Sequence, residues 1–338
     1  MSSISASATV AVLGAGSWGT ALSLLLCRNG HQVRLWSHDA AQIDALQRDG
    51  ENRQFLPGFP LPPALTPTTS LDAALAGATD CLLVVPSHAF RQVLTLLPER
   101  LPNDSGIAWA TKGLEPKTGQ LLHRVAHEVL GATRPLAVVS GPSFALEVAR
   151  GLPTAITVAA NQTAFADRIA HLLHSERFRA YTSSDIIGVE VCGAAKNVLA
   201  IATGIADGLG FGANTRAALI TRGLAELIRI GTALGGRAET FMGLAGMGDL
   251  VLTCTDNQSR NRRMGLALAR GMNVTAALAE IGQEVEGVVT ALSVHTLAAS
   301  LGIEMPISEQ VYRVLYEQVS PERATAALLE REPKPELG

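Results

Sequence analysis

Charged side chains are scarce in this chain: they make up 17% of its 338 residues, against 47% hydrophobic. With that much apolar surface to bury, disorder is excluded for most of the length. The net charge of −3 is dispersed, so neither a nucleic-acid footprint nor attachment to an anionic membrane is expected. Cysteine is limited to Cys27, Cys81, Cys192 and Cys254, far apart and without a C-x-x-C, which points to a reduced, cytoplasmic protein. His123 with His127, and His171 with His174, stand at helical spacing, but the first pair lacks the adjacent glutamate of a zinc-protease helix, and no metal site is expected. Charge is also missing from Met1 to Cys27. By hydropathy that stretch would pass for a signal peptide or anchor, but it has no positive n-region and carries three glycines, so no membrane span is expected.

Those glycines, Gly14, Gly16 and Gly19, form G-x-G-x-x-G between an apolar run, Thr9 to Leu13, and a segment of helical spacing from Ser17. In a dinucleotide site the first glycine makes the tight turn, the second lets a pyrophosphate approach the backbone, and the third lets helix and strand pack closely. The phosphates then sit at the positive end of a helix. The motif alone is weak evidence, and a structural turn is its alternative. Its context is stronger, because Asn29-Gly30 stops the helix and His31 to Trp36 follows as a second strand, completing a βαβ unit of roughly 30 residues.

Strand and helix patterns then alternate. Helices are expected over Asp39 to Arg48, Leu71 to Ala76, His88 to Leu97 and Gln120 to Leu130, with strands at 81–85, 107–110, 136–139, 155–160 and 178–182. A Pro- and Thr-rich loop is expected from Phe55 to Thr69. From Ile186 only helical patterns remain, such as Thr215 to Leu234 and Val288 to Leu301. The expected fold is α/β plus all-α: a Rossmann-type, mostly parallel sheet domain over 1–187, then an all-helical domain over 188–338. No Pro- or Gly-rich linker separates them, so a rigid joint with the active site in the cleft is expected.

Ligands of open α/β sheets bind outside the carboxyl ends of the strands. Three such ends carry polar groups: Pro86-Ser87-His88, Thr111-Lys112-Gly113 and Ser140-Gly141-Pro142-Ser143. Lys112 closes an otherwise apolar strand; it reads as an anion or substrate ligand, or as a solvated turn lysine. Lys196 lies in the small, apolar segment Val191 to Ala202, where burial would lower its pKa and suit it to acid–base work; a snorkelling surface lysine is the alternative. Further on, Asp249 precedes Ser259-Arg260-Asn261-Arg262-Arg263. Ser259 can cap a helix beginning at Arg260, so that backbone N–H groups, helix dipole and guanidinium converge on an anion, with phosphate as the candidate and a solvated basic patch as the rival.

Over nearly its whole length the chain resembles the bacterial glycerol-3-phosphate dehydrogenases, which use NAD(P). The resemblance lies in GAGSWGTAL, NGHQVRLWSHD, VVPSH, WATKGLE, SGPSFA, GLPTA, GAAKNVLAI, DGLGFGANTRAALITRGLAE, GLAGMGDLVLTCTDNQSRNRR and VEG. It implies reversible reduction of dihydroxyacetone phosphate to sn-glycerol 3-phosphate for phospholipid synthesis. It further implies that Ser17, Trp18, His38, Ala145 and Glu286 bind cofactor, that Lys112 touches cofactor and substrate, and that Gly141 and Ser143 meet substrate. Lys196 is the implied proton acceptor; Asp249, Ser259, Arg260 and Asn261 bind substrate, and Arg260 also reaches the cofactor. Glu284 is added as a cofactor contact made through backbone, at a position where the family often carries an apolar residue. Asn197, beside Lys196, is a further substrate ligand.

Hydride would pass between nicotinamide C4 and substrate C2, with Lys196 donating or accepting the proton, Asp249 holding Lys196 or a substrate hydroxyl, and Lys112 stabilising charge on the carbonyl oxygen. The second strand ends Trp36-Ser37-His38-Asp39, with His38 rather than a carboxylate at its tip, so NADPH is expected to be accepted ahead of NADH. Two rival readings are a related two-domain dehydrogenase of another hydroxy acid and a non-enzymatic NAD(P) sensor. The first need not keep Ser259-Arg260-Asn261 beside Asp249, and the second has no need of Lys196. A homodimer is expected from the apolar helical domain.

Overall fold

The computed structural model describes residues 7–102, 105–332 and 335, so the first six residues of the uncharged N-terminal stretch lie outside it. In chain order the strands are β1 (Thr9–Leu13), β2 (Gln32–Trp36), β3 (Glu51–Asn52), β4 (Leu56–Pro60), β5 (Leu65–Thr68), β6 (Asp80–Leu83), β7 (Ile107–Trp109), β8 (Leu136–Ser140), β9 (Thr154–Ala160) and β10 (Phe178–Ser183). β1 is apolar on both faces and buried from Val10 on, as a central strand covered by helices must be. It pairs in parallel with β2, Val12 opposite Leu35, and with β6, Val12 opposite Leu82.

The main sheet runs β10-β9-β8-β7-β6-β1-β2-β5, parallel throughout except between β8 and β9. Its stretch β5-β2-β1-β6-β7-β8 has the strand order of doubly wound dinucleotide-binding sheets. The order reverses between β1 and β6, and the crevice at such a reversal opens outside the carboxyl ends of those two strands. The glycine loop leaves β1 at that point.

One expectation fails between Phe55 and Thr69. β4 pairs antiparallel with β3, and β5 adds a parallel edge strand beside β2. Proline hides such a strand from a sequence reading, yet Pro67 is tolerated because β5 is bonded on one side only. Other element limits move by at most a few residues, where fraying ends decide them.

From Ile186 every regular element among the described residues is helical. Ile186–Gly208 is long and apolar enough to cross a membrane, but 94% of its apolar window is buried within the protein, as in a core helix. Helix Arg260–Ala269 packs on it backbone to backbone: a Cβ at Gly204 would meet the Arg262 carbonyl, and one at Gly265 the Ile201 carbonyl. The chain forms two compact units, one of residues up to Glu115 with Gln120–Glu190, the other of Pro116–Gly119 with the residues from Val191. The division therefore falls just after the expected boundary at 187, inside helix Ile186–Gly208.

Candidate active site

The first unit carries the glycine loop, and its three glycines are needed for three different reasons. Gly14 turns the chain with φ +122°, donates to the Trp36 carbonyl at 2.9 Å, and has no room for a Cβ against the Val84 carbonyl. Gly19 has its Cβ space filled by the Gly14 carbonyl, so it packs the helix against its own loop. Gly16 is different: a Cβ there would meet nothing within 4 Å. Nothing among the described residues demands glycine at 16, and an approaching phosphate supplies the missing reason.

Helix Ser17–Arg28 starts at Gly16 with no side-chain cap and no acidic residue in its first turn, leaving its N-terminal N–H groups and dipole for an anion. Trp18 Nε1 is buried without a hydrogen-bond partner among the described residues, a second unmet need on the same turn. Together these features fit a dinucleotide. At the end of β2, His38 is exposed, while the Asp39 carboxylate caps helix Ala40–Asp49 by accepting from Gln42 N at 3.2 Å.

Lys112, Gly141 and Ser143 come together at the ends of β7 and β8. Gly141, at φ +146°, presents its carbonyl to Lys112 Nζ at 3.2 Å and to Ser143 Oγ at 2.9 Å. Its Cβ would stand 2.9 Å from Ile156 Cα, so the close approach of β9 requires glycine. Thr111, beside Lys112, is buried and donates to the Val85 carbonyl at 2.7 Å, tying this turn to the end of β6. Ala145 opens the short helix Ala145–Ala149 that follows.

The second unit holds Lys196 on helix Ile186–Gly208, 5% exposed, so the snorkelling alternative is excluded. Its Nζ is ion-paired with Asp249 Oδ1 and donates to Thr253 Oγ1 at 2.7 Å. Asp249, 1% exposed, opens helix Asp249–Thr255 after the wide turn Leu244–Gly248, and Thr253 lies one helical turn on, hence on the same face. Thr253 was missed by the sequence reading; its only signal was that spacing from Asp249. Cys254 lies behind this group, its thiol pushed up to about 12 by burial, with Lys196 among the charges opposing the rise.

Asn197 and Asn261 also meet, each with its amide oxygen committed. Asn261 Nδ2 donates to Asn197 Oδ1 at 2.9 Å, and Asn261 Oδ1 accepts from Gly287 N at 2.8 Å. Ser259 is the expected cap, accepting from Arg262 N at 3.2 Å. The arginines after it separate sharply. Arg262 is buried, ion-paired with Asp207, and bonded to Asn257 Oδ1 at 2.9 Å and the Cys254 carbonyl at 3.2 Å. Arg260 makes no hydrogen bond or ion pair with another described residue. Burial draws its guanidinium below the ordinary arginine value, opposed first by Glu286 and then by Glu284, with Arg263 adding to the fall. A desolvated cation at a helix N-terminus, short of bonded partners, is suited to an incoming dianion.

Comparison with known proteins identifies the family. Residues 9–166 match the family model described as NAD-dependent glycerol-3-phosphate dehydrogenase N-terminus, and residues 185–326 match the corresponding C-terminus model. The chain is 57% identical over 328 residues to a glycerol-3-phosphate dehydrogenase [NAD(P)+] of Aeromonas salmonicida, covering 97% of this chain and 98% of that one. It is similar to the crystal structure of glycerol-3-phosphate dehydrogenase from Coxiella burnetii, with TM-score 0.94 and 52% identity, covering 96% of this chain and 99% of that one. A Saccharomyces cerevisiae glycerol-3-phosphate dehydrogenase follows at TM-score 0.81 and 26% identity, covering 96% and 100%.

Proposed function

We propose how the reaction is divided within this chain, which belongs to the NAD-dependent glycerol-3-phosphate dehydrogenase family and reduces dihydroxyacetone phosphate to glycerol 3-phosphate with NADPH or NADH. The observation that carries the proposal is a buried lysine, held by Asp249 and Thr253, in the same unit as a half-buried arginine with no bonded partner among the described residues.

Gly14, Gly16, Ser17, Trp18 and Gly19 hold the pyrophosphate, with His38 and Ala145 as further cofactor contacts. When bound, the nicotinamide supplies a hydride to substrate C2. The former carbonyl oxygen then carries negative charge, and Lys196 gives it a proton; in the reverse direction neutral Lys196 takes the proton back. Asp249 stabilises the ammonium and Thr253 fixes its direction. Lys112, with Gly141 and Ser143 beside it, offsets charge developing on the oxygen. Arg260 and the N-terminus of its helix take the phosphate, and Arg260, Glu284 and Glu286 are the further cofactor contacts that the family resemblance implies. Beyond any contact with substrate, Asn197 and Asn261 lock together the helices bearing Lys196 and Arg260. Asp39 is occupied as a helix cap, which supports preference for NADPH over NADH.

The test is NADPH oxidation at 340 nm with dihydroxyacetone phosphate, unphosphorylated dihydroxyacetone and a set of keto acids. Turnover confined to the phosphorylated ketone is expected; a faster keto acid would overturn the substrate assignment. A cytoplasmic homodimer feeding glycerophospholipid synthesis is the setting we assign, and a monomer mass by light scattering at micromolar concentration would refute the dimer.

A further inference from the structure

The glycine loop is held from behind by two side chains that neither the motif nor the mechanism includes. The carbonyl of Ala15, between the first two glycines, accepts from Gln42 Nε2 at 2.6 Å and from Asn52 Nδ2 at 2.9 Å. Asn52 is 2% exposed and fully engaged: its other amide hydrogen goes to Thr20 Oγ1 at 2.8 Å, and its oxygen accepts from Phe55 N at 3.2 Å. Gln42 is braced in turn, its oxygen accepting from Ser37 Oγ at 2.7 Å.

A trans peptide is planar, so the carbonyl of one residue and the N–H of the next point in opposite directions. No peptide among the described residues is cis. Anchoring the Ala15 carbonyl on the Gln42 and Asn52 side therefore aims the Gly16 N–H the other way. That N–H has no partner among the described residues. A loop glycine can flip its preceding peptide at little cost, and a flipped plane would turn the Ala15 oxygen, an acceptor, toward a bound anion. Two donors on one carbonyl oppose that flip.

We propose that Gln42 and Asn52 are positioning residues of the cofactor site, which hold the Ala15–Gly16 peptide with its N–H toward the pyrophosphate. The proposal rests on the reading of the first unit as the dinucleotide site. It also explains the β3–β4 hairpin: β3, just ahead of the segment expected to be a loop, delivers Asn52 to the phosphate turn.

The test compares Gln42→Met, Asn52→Leu and the double variant with the unchanged protein. Binding of NADPH, of NADH and of adenosine 2′-monophosphate, which has no pyrophosphate, is followed by fluorescence or calorimetry. Each single variant leaves one donor in place, and Kd for NADPH and for NADH should rise about 3- to 10-fold, the scale of one hydrogen bond. In the double variant the rise should exceed the product of the single effects. Affinity for adenosine 2′-monophosphate, and kcat at saturating NADPH, should stay within about twofold. Gln42 is half-buried and Gln42→Met leaves the core untouched, so that variant keeps the test decisive if Asn52→Leu does not fold. Equal weakening of all three ligands would reduce both residues to supports of the fold, and unchanged NADPH binding in Gln42→Met and the double variant would likewise overturn the proposal. Failure of the unchanged protein to bind either dinucleotide would instead overturn the cofactor reading of the first unit, and the proposal with it.

Discussion

Replacing Lys196 by methionine should do two separable things. Methionine matches the lysine stem in length and is compatible with the apolar helix, but it removes the ammonium that Asp249 faces. Asp249 is 1% exposed, so its carboxylate would be left charged, buried and without its ion-pair partner. Removing one partner of a buried pair costs about 3–5 kcal/mol, which for a unit of this size lowers Tm by roughly 6–20 °C. Loss of the proton donor independently lowers kcat by about 10²–10⁴-fold. The two effects come apart in the double variant Lys196→Met/Asp249→Asn, where the uncompensated charge is gone. Scanning calorimetry should then show most of the lost Tm recovered, while the 340 nm assay stays as low as in the single variant. Recovery of turnover together with stability would mean that Lys196 serves the fold and that another group moves the proton. Retention of more than about a tenth of kcat in the single variant would refute the role directly.

Arg260→Ala should lower kcat/KM for dihydroxyacetone phosphate by roughly 30- to 5,000-fold, the equivalent of about 2–5 kcal/mol, with a much smaller change for unphosphorylated dihydroxyacetone; equal losses would withdraw the phosphate assignment. Gly16→Val should weaken NADPH binding with little change in Tm, since nothing in the protein fills that space, whereas Gly19→Ala should lower Tm because its Cβ meets the Gly14 carbonyl; calorimetry with and without cofactor separates the two. Glu226 accepts from Ile307 N at 2.6 Å, Ser308 N at 3.1 Å and Ser308 Oγ at 2.8 Å, and burial raises its pKa above the usual 4.5 against these bonds. The native state thus holds this proton more tightly than the unfolded one, so the stability Glu226 contributes should be greatest below about pH 4.5 and decline as pH rises through the folded value; urea midpoints against Glu226→Gln, from pH 4 to 7, would refute this if the difference grew with pH. Burial pushes the Cys27 thiol up to about 11 and those of Cys81 and Cys254 to about 12, so less than about 1% of each is thiolate at pH 8, and iodoacetamide should label them slowly until the chain is unfolded.

What could be read from the sequence shares one physical property: its cause lies within a few residues. β1 and its glycine turn declare themselves because burial on both faces, a positive φ and a helix start follow one another within a single segment. Ser259 does the same, since a cap acts on an N–H three residues on. Residues whose reason lies far along the chain stayed silent. Asn52 serves a carbonyl 37 residues earlier, and Glu226 accepts from a helix start 81 residues later. Thr253 was half legible, being in step with Asp249 along a helix but meaningful only because Lys196, 57 residues away, arrives on that face. The strand at Leu65–Thr68 was hidden for a related reason: an edge strand is defined by its neighbour, and its own proline argues against it.

The run Arg260-Asn261-Arg262-Arg263 shows why a site cannot be assigned by residue type alone. Arg260 and Arg262 have the same charge and stand two residues apart at the start of one helix, so they point to different sides of it. Arg262 meets Asp207, which Arg216 also engages at 2.8 Å, together with Asn257 and a carbonyl. Its charge is spent on fixing the helix against its neighbour, and substitution there should cost stability first. Arg260 makes no hydrogen bond or ion pair with another described residue, and burial lowers its affinity for a proton against the opposing charges of Glu286 and Glu284. A cation kept in that state is unfavourable in the empty protein, and the deficit is removed when a phosphate dianion arrives. Binding energy of that kind is available to orient the remote carbonyl for reaction, which is why the substrate's phosphate matters to turnover as well as to affinity.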